Sequence, residues 1–519
     1  MIMLSCYSLL ADVYSCLTWY HVVASLITVY LTRYWWIVLR ARATLPPGPF
    51  PYPVIGNPLG SVTHVSLANL AKKYGDVMTV FNGSNPVVVL SGTRIRECLL
   101  KHLHAFSGRP QTYMLQILEA PDNLPGITTL NYCPHLKLYR RLTQTAIRSF
   151  IMTESGPNHF EKLASNQAKQ LIDNFHAKGG KPFNPGLDTI GTVGDIALAM
   201  LCGQDNITSC IDRKKFISIL SLIRRLTPLL RVNSVFDVFP WLGNIVLTLA
   251  KILSSDMERL QRSISKLLYA ELETHHETFD KNNIRDIADA MIKAKDEAED
   301  KNDINKAKML NDKNFVGALI DLFAAGIITT TTTLEWYFLY MIVHPNIQQK
   351  VHDELDRVIG RDRYPTLQDR DKLPYLQATI LETLRASSVT PLAAPHETIA
   401  EIKLNNYTLP SKTTVWINTW SVHHDEKLWT NPDEFSPERH LNNDGTIKAS
   451  SPNLMPFSCG TRACIGETLA KFNLYIIISH LMQHCTFRKV DNQQLDLSTG
   501  SSFVMPCKEY QMIATPRIS

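Results

Sequence analysis

The stretch PFSCGTRACIG, residues 456–466, decides the fold, because it places a cysteine among glycines directly before an apolar segment. Cys464 stands between Gly460 and Gly466, with Arg462 two residues before it, and the following ETLAKFNLYIIISHLM predicts a helix. Backbone N–H groups and the positive end of a helix favour the thiolate form of such a cysteine. A thiolate is a strong axial ligand for haem iron. The alternative is a buried cysteine at the start of a core helix.

The complete pattern, Phe457-x-x-Gly460-x-Arg462-x-Cys464-x-Gly466, resembles the haem-binding loop of the cytochrome P-450 superfamily at every defining position. The resemblance implies a mainly α fold with a smaller β portion, built as one haem domain behind an N-terminal membrane anchor. It also implies haem b as the cofactor, with the Cys464 thiolate on the iron and Arg462 at a propionate. The glycines would let the backbone approach the flat macrocycle.

A second motif resembles the charge cluster of the same family. ETLR, Glu382 to Arg385, matches the family's ExxR, and its spacing places acid and base on one helix face. Alone, such a pair is usually a surface ion pair of little energetic value. With Arg439 of FSPERH it resembles the buried Glu-Arg-Arg cluster of the family, which has a structural role. His440 stands where the family usually has phenylalanine.

Three further segments resemble the family's contacts to the haem propionates. Arg140 in PHLKLYRRL fits the pattern Trp-x-x-x-Arg, but Leu136 stands where the tryptophan is expected, and Lys137 is the candidate to compensate. Arg109 of FSGRP and His396 of PLAAPH match positions that face propionates in animal microsomal members. For each of these residues, an ordinary surface or core position is the alternative.

The segment AAGIITTTTT, residues 324–333, resembles the middle of the family's central helix, which crosses the haem. Ala325 and Gly326 would form a bare patch for dioxygen and substrate, and Thr329 would supply a hydroxyl group. A threonine in a helix also donates to the carbonyl four residues earlier. We expect the remaining threonines, 330–333, to serve packing.

The family's acid is absent from this segment, because Ile328 stands where Asp or Glu is usual. In the family, the acid and the threonine pass protons during oxygen activation, and such assistance is typically worth roughly 10²–10⁴ in rate. Either Thr329 with ordered water suffices, or the protein releases peroxide or uses a substrate that already contains an O–O bond. The last alternative is a haem-thiolate isomerase or dehydratase acting on lipid peroxides.

The first residues predict a membrane anchor. CLTWYHVVASLITVYL is long and apolar enough to span a bilayer, and arginines follow it while no Lys or Arg precedes it. We predict an uncleaved signal anchor at 1–39, a basic and Pro-rich hinge at 40–57 and the catalytic domain at 58–519. The positive-inside rule places that domain on the cytosolic face, here of the endoplasmic reticulum. A buried core helix is the alternative for the first segment.

The bulk composition fits one large haem domain. The chain has 519 residues, of which 45% are hydrophobic, and its net charge of +5 is too small to indicate nucleic-acid binding. Its 10 cysteines show no CxxC pattern and do not suggest a disulfide framework. VMTVFNGSNPVVVLSG, residues 77–92, predicts a β-hairpin. The mixed-charge stretch 295–308 predicts a solvated loop.

The family resemblance is nearest to animal microsomal members, in the steroid 17-hydroxylase and drug-metabolising clade. It implies a monooxygenase that hydroxylates a lipophilic substrate, with electrons from NADPH through NADPH–cytochrome P-450 reductase and with a b-type cytochrome as an optional partner. Lys137, Arg141 and Arg148 are candidates for the reductase-docking patch, with a solvated helix face as the alternative. A haem-binding carrier or sensor is a third functional class. The expected pocket walls are 110–131, 217–241, 389–394 and 501–504, with Ala324 and its neighbours.

Overall fold

The computed structural model describes the chain except for residues 1, 58–62, 113–114, 116–123, 125, 153–155, 204–217, 219, 223, 226–234, 239–250, 405, 450, 501 and 518–519. The helices of the described part are α1 (Ile2–Thr44), α2 (His64–Tyr74), α3 (Arg94–Lys101), α4 (Pro134–Met152), α5 (Gly156–Ala177), α6 (Gly186–Cys202), α7 (Val235–Val238), α8 (Lys251–Thr278), α9 (Ile287–Asp300), α10 (Ile304–Met309), α11 (Asp312–Val343), α12 (Pro345–Val358), α13 (Pro374–Ser387), α14 (Thr419–His423) and α15 (Glu467–His484). The strands are β1 (Val77–Asn82), β2 (Asn85–Leu90), β3 (His396–Glu397), β4 (Ile402–Leu404), β5 (Tyr407–Leu409), β6 (Thr414–Ile417), β7 (Cys485–Lys489) and β8 (Met512–Pro516).

Helix α11 is the centre of the helical body. The Asn311 side chain caps it by accepting the backbone N–H of Asn314 at 3.1 Å. Its second half, residues 330–342, is buried throughout, and it packs against α6, α8, α13 and α15. The helix ends before Pro345, which begins α12. A helix that is apolar on every side is a core helix, so α11 positions whatever binds at its middle.

The β portion forms a second, smaller layer. Strands β1 and β2 are the antiparallel hairpin that the sequence predicted, and Gly83 turns the chain between them with φ +62°. The sheet order is β1-β2-β6-β3, with β2 and β6 parallel. Trp416 of β6 is 2% exposed and packs with apolar side chains of the hairpin. The mainly α fold with a smaller β portion is therefore confirmed.

The anchor helix reaches further into the body than predicted. Helix α1 continues to Thr44, five residues past the predicted end of the anchor at 39. Tyr34, Val38 and Ala41 of this helix are buried in one cluster with side chains of the β portion. The hydroxyl of Tyr34 donates to the carbonyl of Tyr52 at 2.6 Å. Arginines at helix positions 40 and 42 are compatible with helix continuation, so only the first proline of the connector stops α1.

The proline-rich connector is also fixed to the sheet. The N–H of Thr79 donates to the carbonyl of Pro47 at 3.0 Å, and the N–H of Phe81 donates to Asn57 Oδ1 at 2.7 Å. A Cβ on Gly48 would lie only 1.8 Å from the carbonyl oxygen of Thr79, so this position requires glycine. The connector therefore packs on β1, with a turn between the paired residues Tyr52 and Gly56.

Two described helices are long and apolar enough to cross a membrane, α1 from Trp19 and α11. They differ in burial, because 61% of the most apolar window of α11 is buried in the body and only 11% of the window in α1. Large apolar side chains from Trp19 to Tyr30 are exposed on α1. Only α1 therefore presents an apolar surface to a bilayer, which makes it the candidate anchor.

The stretch 295–308 is not the predicted loop. It contains the end of α9 and all but the last residue of α10. The side chain of Asp303 caps α10 by accepting the N–H of Lys306 at 3.1 Å. The apolar side chains of Ala294 and Ala298 are buried in the main core. The mixed charges thus belong to the solvent-facing side of a helix whose few small apolar residues gave only a weak periodic signal.

A buried charge pair joins α8 to the start of α9. His275 Nε2 lies 2.7 Å from Asp286 Oδ2, and the ring Nδ1 donates to the Glu271 carbonyl at 2.7 Å. Burial lowers the pKa of His275, but Asp286 and the Glu271 carbonyl outweigh burial, and the pKa lies above its usual value. Both ring nitrogens have partners in this arrangement, so the imidazolium form fits it best.

We predict that this pair makes the free energy of unfolding depend on pH. Because the folded-state pKa is raised, the stabilisation is complete below the unfolded-state pKa of about 6.5 and is lost as pH rises through the folded-state pKa. His275→Gln should cost roughly 1–3 kcal/mol at pH 6 and less at pH 8 in urea unfolding. His276→Gln, in the partly exposed pair with Asp312, is the control and should cost at most about 1 kcal/mol. Equal losses at both pH values for His275→Gln would contradict the assignment.

Candidate functional site

The loop 456–466 closes on itself before α15 begins at Glu467. The N–H of Cys464 donates to the carbonyl of Phe457 at 2.9 Å. Gly460 has φ +79°, and a Cβ there would lie 2.7 Å from the carbonyl oxygen of Leu99 in α3. Gly460 is therefore required by the turn and by α3, whereas we expected it to be required by a macrocycle. The helix α15 starts where the sequence predicted.

Cys464 lies deep in the molecule, yet its side chain is accessible, as expected for a residue that lines an interior space. A Cβ on the neighbouring Gly466 would have no atom within 4 Å. Burial raises the pKa of the Cys464 thiol; the N–H of Gly466 and the charge of Arg140 act in the opposite direction without outweighing burial. A cation that coordinates the sulfur would deprotonate the thiol outright.

Three arginines from distant parts of the chain lie around this loop. Arg462 donates to the carbonyls of Ser107 at 2.8 Å and Leu130 at 2.6 Å. Arg109 donates to the carbonyl of Pro395 at 2.7 Å, and Arg140 to that of Ala463 at 2.5 Å. The three arginines among the predicted propionate contacts are thus brought together, each held by hydrogen bonds to backbone carbonyls.

These arginines carry positive charge that nothing in the described part of the chain neutralises. Within the described residues, none of Arg109, Arg140 and Arg462 forms an ion pair with a carboxylate. Burial, followed by the neighbouring Arg462 and Arg140, lowers the pKa of Arg109, and burial with Arg140 lowers the pKa of Arg462 to about 10. Buried cations are normally paired. The site is therefore suited to a dianionic group.

His396 lies beside this cluster, and Lys137 lies at its edge. The ring Nδ1 of His396 donates to the carbonyl of Phe106 at 2.6 Å, and burial with the charge of Arg109 lowers its pKa to about 3. In that neutral tautomer, Nε2 can only accept a hydrogen bond, so His396 could donate to a carboxylate only as the imidazolium. Lys137 is exposed, with its ammonium 4.7 Å from the centre of the Tyr132 ring.

The middle of α11 is accessible although the helix is otherwise buried. Ala325 is exposed, Gly326 and Thr329 are half-buried, and a Cβ on Gly326 would meet no atom within 4 Å. The Thr329 hydroxyl donates to the carbonyl of Ala325 at 2.8 Å. The predicted bare patch and the predicted back-bonded threonine are thus both present, and the hydroxyl oxygen of Thr329 keeps acceptor capacity.

Glu382 is fully buried and is the centre of a charge cluster. Its two oxygens accept from Arg385 Nη2 at 2.8 Å and Nε at 2.9 Å, and from Arg439 Nε at 2.9 Å. His440 Nε2 lies 2.9 Å from Glu382 Oε2, so the residue that departs from the family pattern is a fourth member of the cluster. Although burial acts to raise it, Arg385 and His440 lower the pKa of Glu382 to about 2.

Hydrogen bonds lead from this cluster to the cysteine loop. Arg385 Nη1 donates to the carbonyl of His423 at 2.6 Å, and Ser388 Oγ lies 2.8 Å from His423 Nδ1. On the other side of the ring, Nε2 accepts the N–H of Met455 at 3.1 Å. Met455 immediately precedes the loop, so the charge cluster fixes where the loop begins.

The comparison with known proteins decides the family. A family model described as Cytochrome P450 matches residues 46–514. The chain belongs to the cytochrome P-450 family. Cytochrome P450 1A1 of Canis lupus familiaris is 33% identical over 504 residues, which cover 94% of this chain and 93% of that protein. Cytochrome P450 1A1 of Rattus norvegicus is 34% identical over 505 residues (92% and 93%), and Cytochrome P450 1A5 of Gallus gallus is 34% identical over 483 residues (90% and 89%).

This cytochrome is therefore a monooxygenase of the animal microsomal type with a haem-thiolate cofactor. The residues present fit that group on three independent observations. The Cys464 sulfur is accessible from the interior. The three uncompensated guanidiniums match the two propionates of haem b. The Ala325–Gly326 patch leaves the central helix bare, so that a flat group can approach its backbone.

Asp321 is a further site residue that the sequence reasoning missed. It lies one turn before Ala325, and its Oδ2 accepts the N–H of Thr128 at 2.7 Å. Burial raises the pKa of Asp321 to about 6. Arg109 Nε donates to the carbonyl of the same Thr128 at 3.1 Å. Segment 126–130 is thus held between the central helix and the arginine cluster. The sequence signal that could have identified Asp321 is an aspartate inside an otherwise apolar helix.

The structure describes part of the predicted pocket walls. Most of 116–125, most of 217–241 including Phe239 and Trp241, and residue 501 lie outside the described residues. Val389, Leu392 and Val504 are described and buried. The N–H of Met505 donates to the carbonyl of Val389 at 2.8 Å, which brings two of the predicted walls together.

We predict that Glu382→Gln destabilises the cytochrome strongly, because it leaves Arg385 buried beside a neutral amide. Breaking a buried ion pair typically costs about 3–5 kcal/mol of unfolding free energy, measurable by urea unfolding. The matched control is Glu438→Gln, whose 46% exposed side chain pairs with Lys350 at 2.6 Å and should contribute at most about 1 kcal/mol.

The pH dependence of the unfolding free energy in the acid range tests the charge of Glu382. The pKa of Glu382 is depressed, so its stabilisation is present above the unfolded-state value of about 4.3 and is lost as pH falls towards about 2. Glu382→Gln should remove this part of the acid unfolding, whereas Glu438→Gln should retain it. Similar acid limbs in wild type and Glu382→Gln would show that the cluster is not ionised as the geometry indicates.

Proposed function

We propose that this cytochrome hydroxylates a lipophilic substrate of the steroid or xenobiotic class, with dioxygen and with electrons from NADPH. The observation that carries the proposal is the combination of an accessible Cys464 with an accessible Ala325–Gly326 patch and a retained Thr329. The described walls of the expected pocket are apolar, which favours a lipophile over a charged substrate. The expected likeness to the steroid 17-hydroxylase and drug-metabolising clade supports the same substrate classes.

The residues of the site have separate tasks in this proposal. Cys464 would ligate the haem iron, and a haem with a thiolate ligand supplies the activation of dioxygen for insertion into a C–H bond. Arg109, Arg140 and Arg462 would bind the propionates, each already oriented by a backbone carbonyl. Binding of the propionates would also raise the pKa of the neighbouring His396, so that its Nε2 can donate.

The central helix and the cysteine loop supply the remaining parts. The Thr329 hydroxyl donates to the helix and can pass a proton through its free acceptor sites. Phe457 and Gly460 hold the loop closed, and Gly466 leaves space beside the sulfur. The apolar surroundings of α11 exclude bulk water from the reacting centre.

Electron supply would come from NADPH–cytochrome P-450 reductase, with a b-type cytochrome as an optional partner. Lys137, Arg141 and Arg148 are exposed on α4, and this helix also carries Arg140 beside the cysteine loop. A basic surface close to the haem suits an acidic electron donor. The exposed apolar α1 supports single-pass anchoring in the endoplasmic reticulum membrane, with the catalytic domain on the cytosolic face.

A second function, isomerisation or dehydration of lipid peroxides, is favoured by one observation, the apolar Ile328 in place of an acid. The two functions differ in their need for NADPH. We expect product from a lipophile that shifts the haem to high spin only when NADPH and reductase are present. Turnover of a lipid hydroperoxide without either would support the second function and overturn the first.

We predict that Cys464→Ser abolishes the red-shifted carbon-monoxide absorption band that marks thiolate-ligated haem, together with NADPH-dependent turnover. Serine has the same shape but is a far weaker ligand for this iron. Cys459→Ser is the matched control, because Cys459 lies in the same loop, is half-buried and should leave the band unchanged. A retained band in Cys464→Ser would assign the axial ligand elsewhere.

A further inference from the structure

A cavity of about 360 Å³ lies along one face of α11, beside the position of the absent acid. Ile328, Thr331, Thr332 and Glu335 of the helix line it, at spacings of three and four residues that place them on one face. Glu509, which is exposed, also lines the cavity, so that it opens to solvent. A water molecule takes about 30 Å³, so several waters fit.

The cavity has the polar groups that hold water. The Thr331 residue is 4% exposed, and its hydroxyl has no hydrogen-bond partner among the described residues. Glu335 is 5% exposed and forms an ion pair with Arg224. Cys507 Sγ lies 3.8 Å from Glu335 Oε2 on the opposite wall. A buried hydroxyl without a protein partner is normally satisfied by ordered water.

The ion pair is built into the helix packing. A Cβ on Gly186, the first residue of α6, would lie 1.3 Å from Arg224 Nη1, so a larger residue there would displace the guanidinium from its present position. The hydroxyl of Tyr510 donates to the backbone carbonyl of Glu335 at 2.8 Å and holds this turn of α11. The carboxyl group of Glu335 is thus fixed in position at the cavity.

Glu335 also belongs to a row of residues that ends at Thr329. Thr329, Thr332 and Glu335 follow one another at intervals of three, and side chains three residues apart on a helix are neighbours, with about 5–6 Å between Cβ atoms. Thr332 therefore lies between the cavity acid and the hydroxyl at the bare patch. This placement gives the threonine run a role beyond packing.

We propose that the cavity is a hydrated proton-supply site, in which Glu335 provides through Thr332 to Thr329 the protons that Ile328 cannot provide. The inference rests on the monooxygenase activity of the family and deepens the proposed oxygen activation. In each transfer, Glu335 releases one proton to the water chain and takes one back from bulk water, so the carboxyl group is unchanged after turnover. Dioxygen and NADPH supply the oxygen and the electrons.

The surroundings of Glu335 suit this exchange. Burial raises the pKa of Glu335, although Arg224 acts in the opposite direction. A carboxyl group whose pKa lies closer to neutral is a better proton carrier at physiological pH. Ile328 lines the same cavity one turn before Thr331.

The test uses the full-length cytochrome with haem and reductase in microsomes, and a lipophile that shifts the haem to high spin. Glu335→Gln retains an acceptor for Arg224 but has no proton to give. We expect product formation to fall about 10²-fold, at the low end of general acid–base effects, while NADPH oxidation continues and peroxide is released. Adding Ile328→Glu to this variant should restore product, because it returns an acid to the usual position.

Thr332→Val and Thr330→Val form a matched pair that does not depend on Glu335→Gln folding. Thr332 lines the cavity and Thr330 does not, although both are buried. Only Thr332→Val should uncouple NADPH oxidation from product. Full coupling in Thr332→Val, or equal loss in both variants, would overturn the relay. Loss of coupling in Asp321→Asn with none in Glu335→Gln would overturn it in favour of that acid.

A spectroscopic measurement separates this inference from the proposed function. Infrared difference spectra of the holoprotein, recorded as the pH is lowered, should show a protonated carboxyl band that shifts in D₂O and is absent in Glu335→Gln. The carbon-monoxide spectrum and the melting temperature report haem binding and folding in both proteins. A missing band overturns the role of Glu335. A present band without NADPH-dependent product from the wild type would instead reject the proposed monooxygenase substrate.

Discussion

The constraint on which the site depends is the repulsion among Arg109, Arg140 and Arg462. These guanidiniums come from distant parts of the chain and meet where the described residues supply only backbone carbonyls to them. Buried like charges destabilise a fold unless an anion joins them. The free energy gained by binding haem propionates at these guanidiniums would therefore also be folding free energy, and the cofactor would stabilise the convergence of the three segments.

The central helix combines two opposite requirements. The side chains of its second half are buried, which gives the rigidity that a catalytic group needs. Its middle is open on two faces, one at Ala325 and Gly326 and the other at the cavity of Thr331 and Glu335. Helix geometry allows this, because residues that are adjacent in sequence point about 100° apart. A run of threonines suits such a helix, since each side chain is short and carries one hydroxyl group.

The sequence predicted best those parts of the structure that depend on local sequence patterns. The loop around Cys464, the helix after it and the Glu382 cluster each depend on short spacings, and the structure places them as expected. The parts that it did not predict depend on contacts between distant segments. Asp321 acquires its partner from residue 128, and His440 becomes part of the charge cluster only because a 3₁₀ turn brings it to Glu382. The end of the anchor likewise depends on burial against the sheet.

The burial of Tyr34, Val38 and Ala41 gives the anchor a mechanical meaning. The exposed apolar part of α1 and its buried last turns form one continuous helix. The exposed part and the body therefore cannot rotate independently of each other. With α1 in a bilayer, a tilt of the helix would be transmitted directly to the sheet. For the same reason, cutting the chain at residue 39 would not release a clean soluble domain. It would expose an apolar cleft on the β portion, and the truncated protein would tend to self-associate through that cleft.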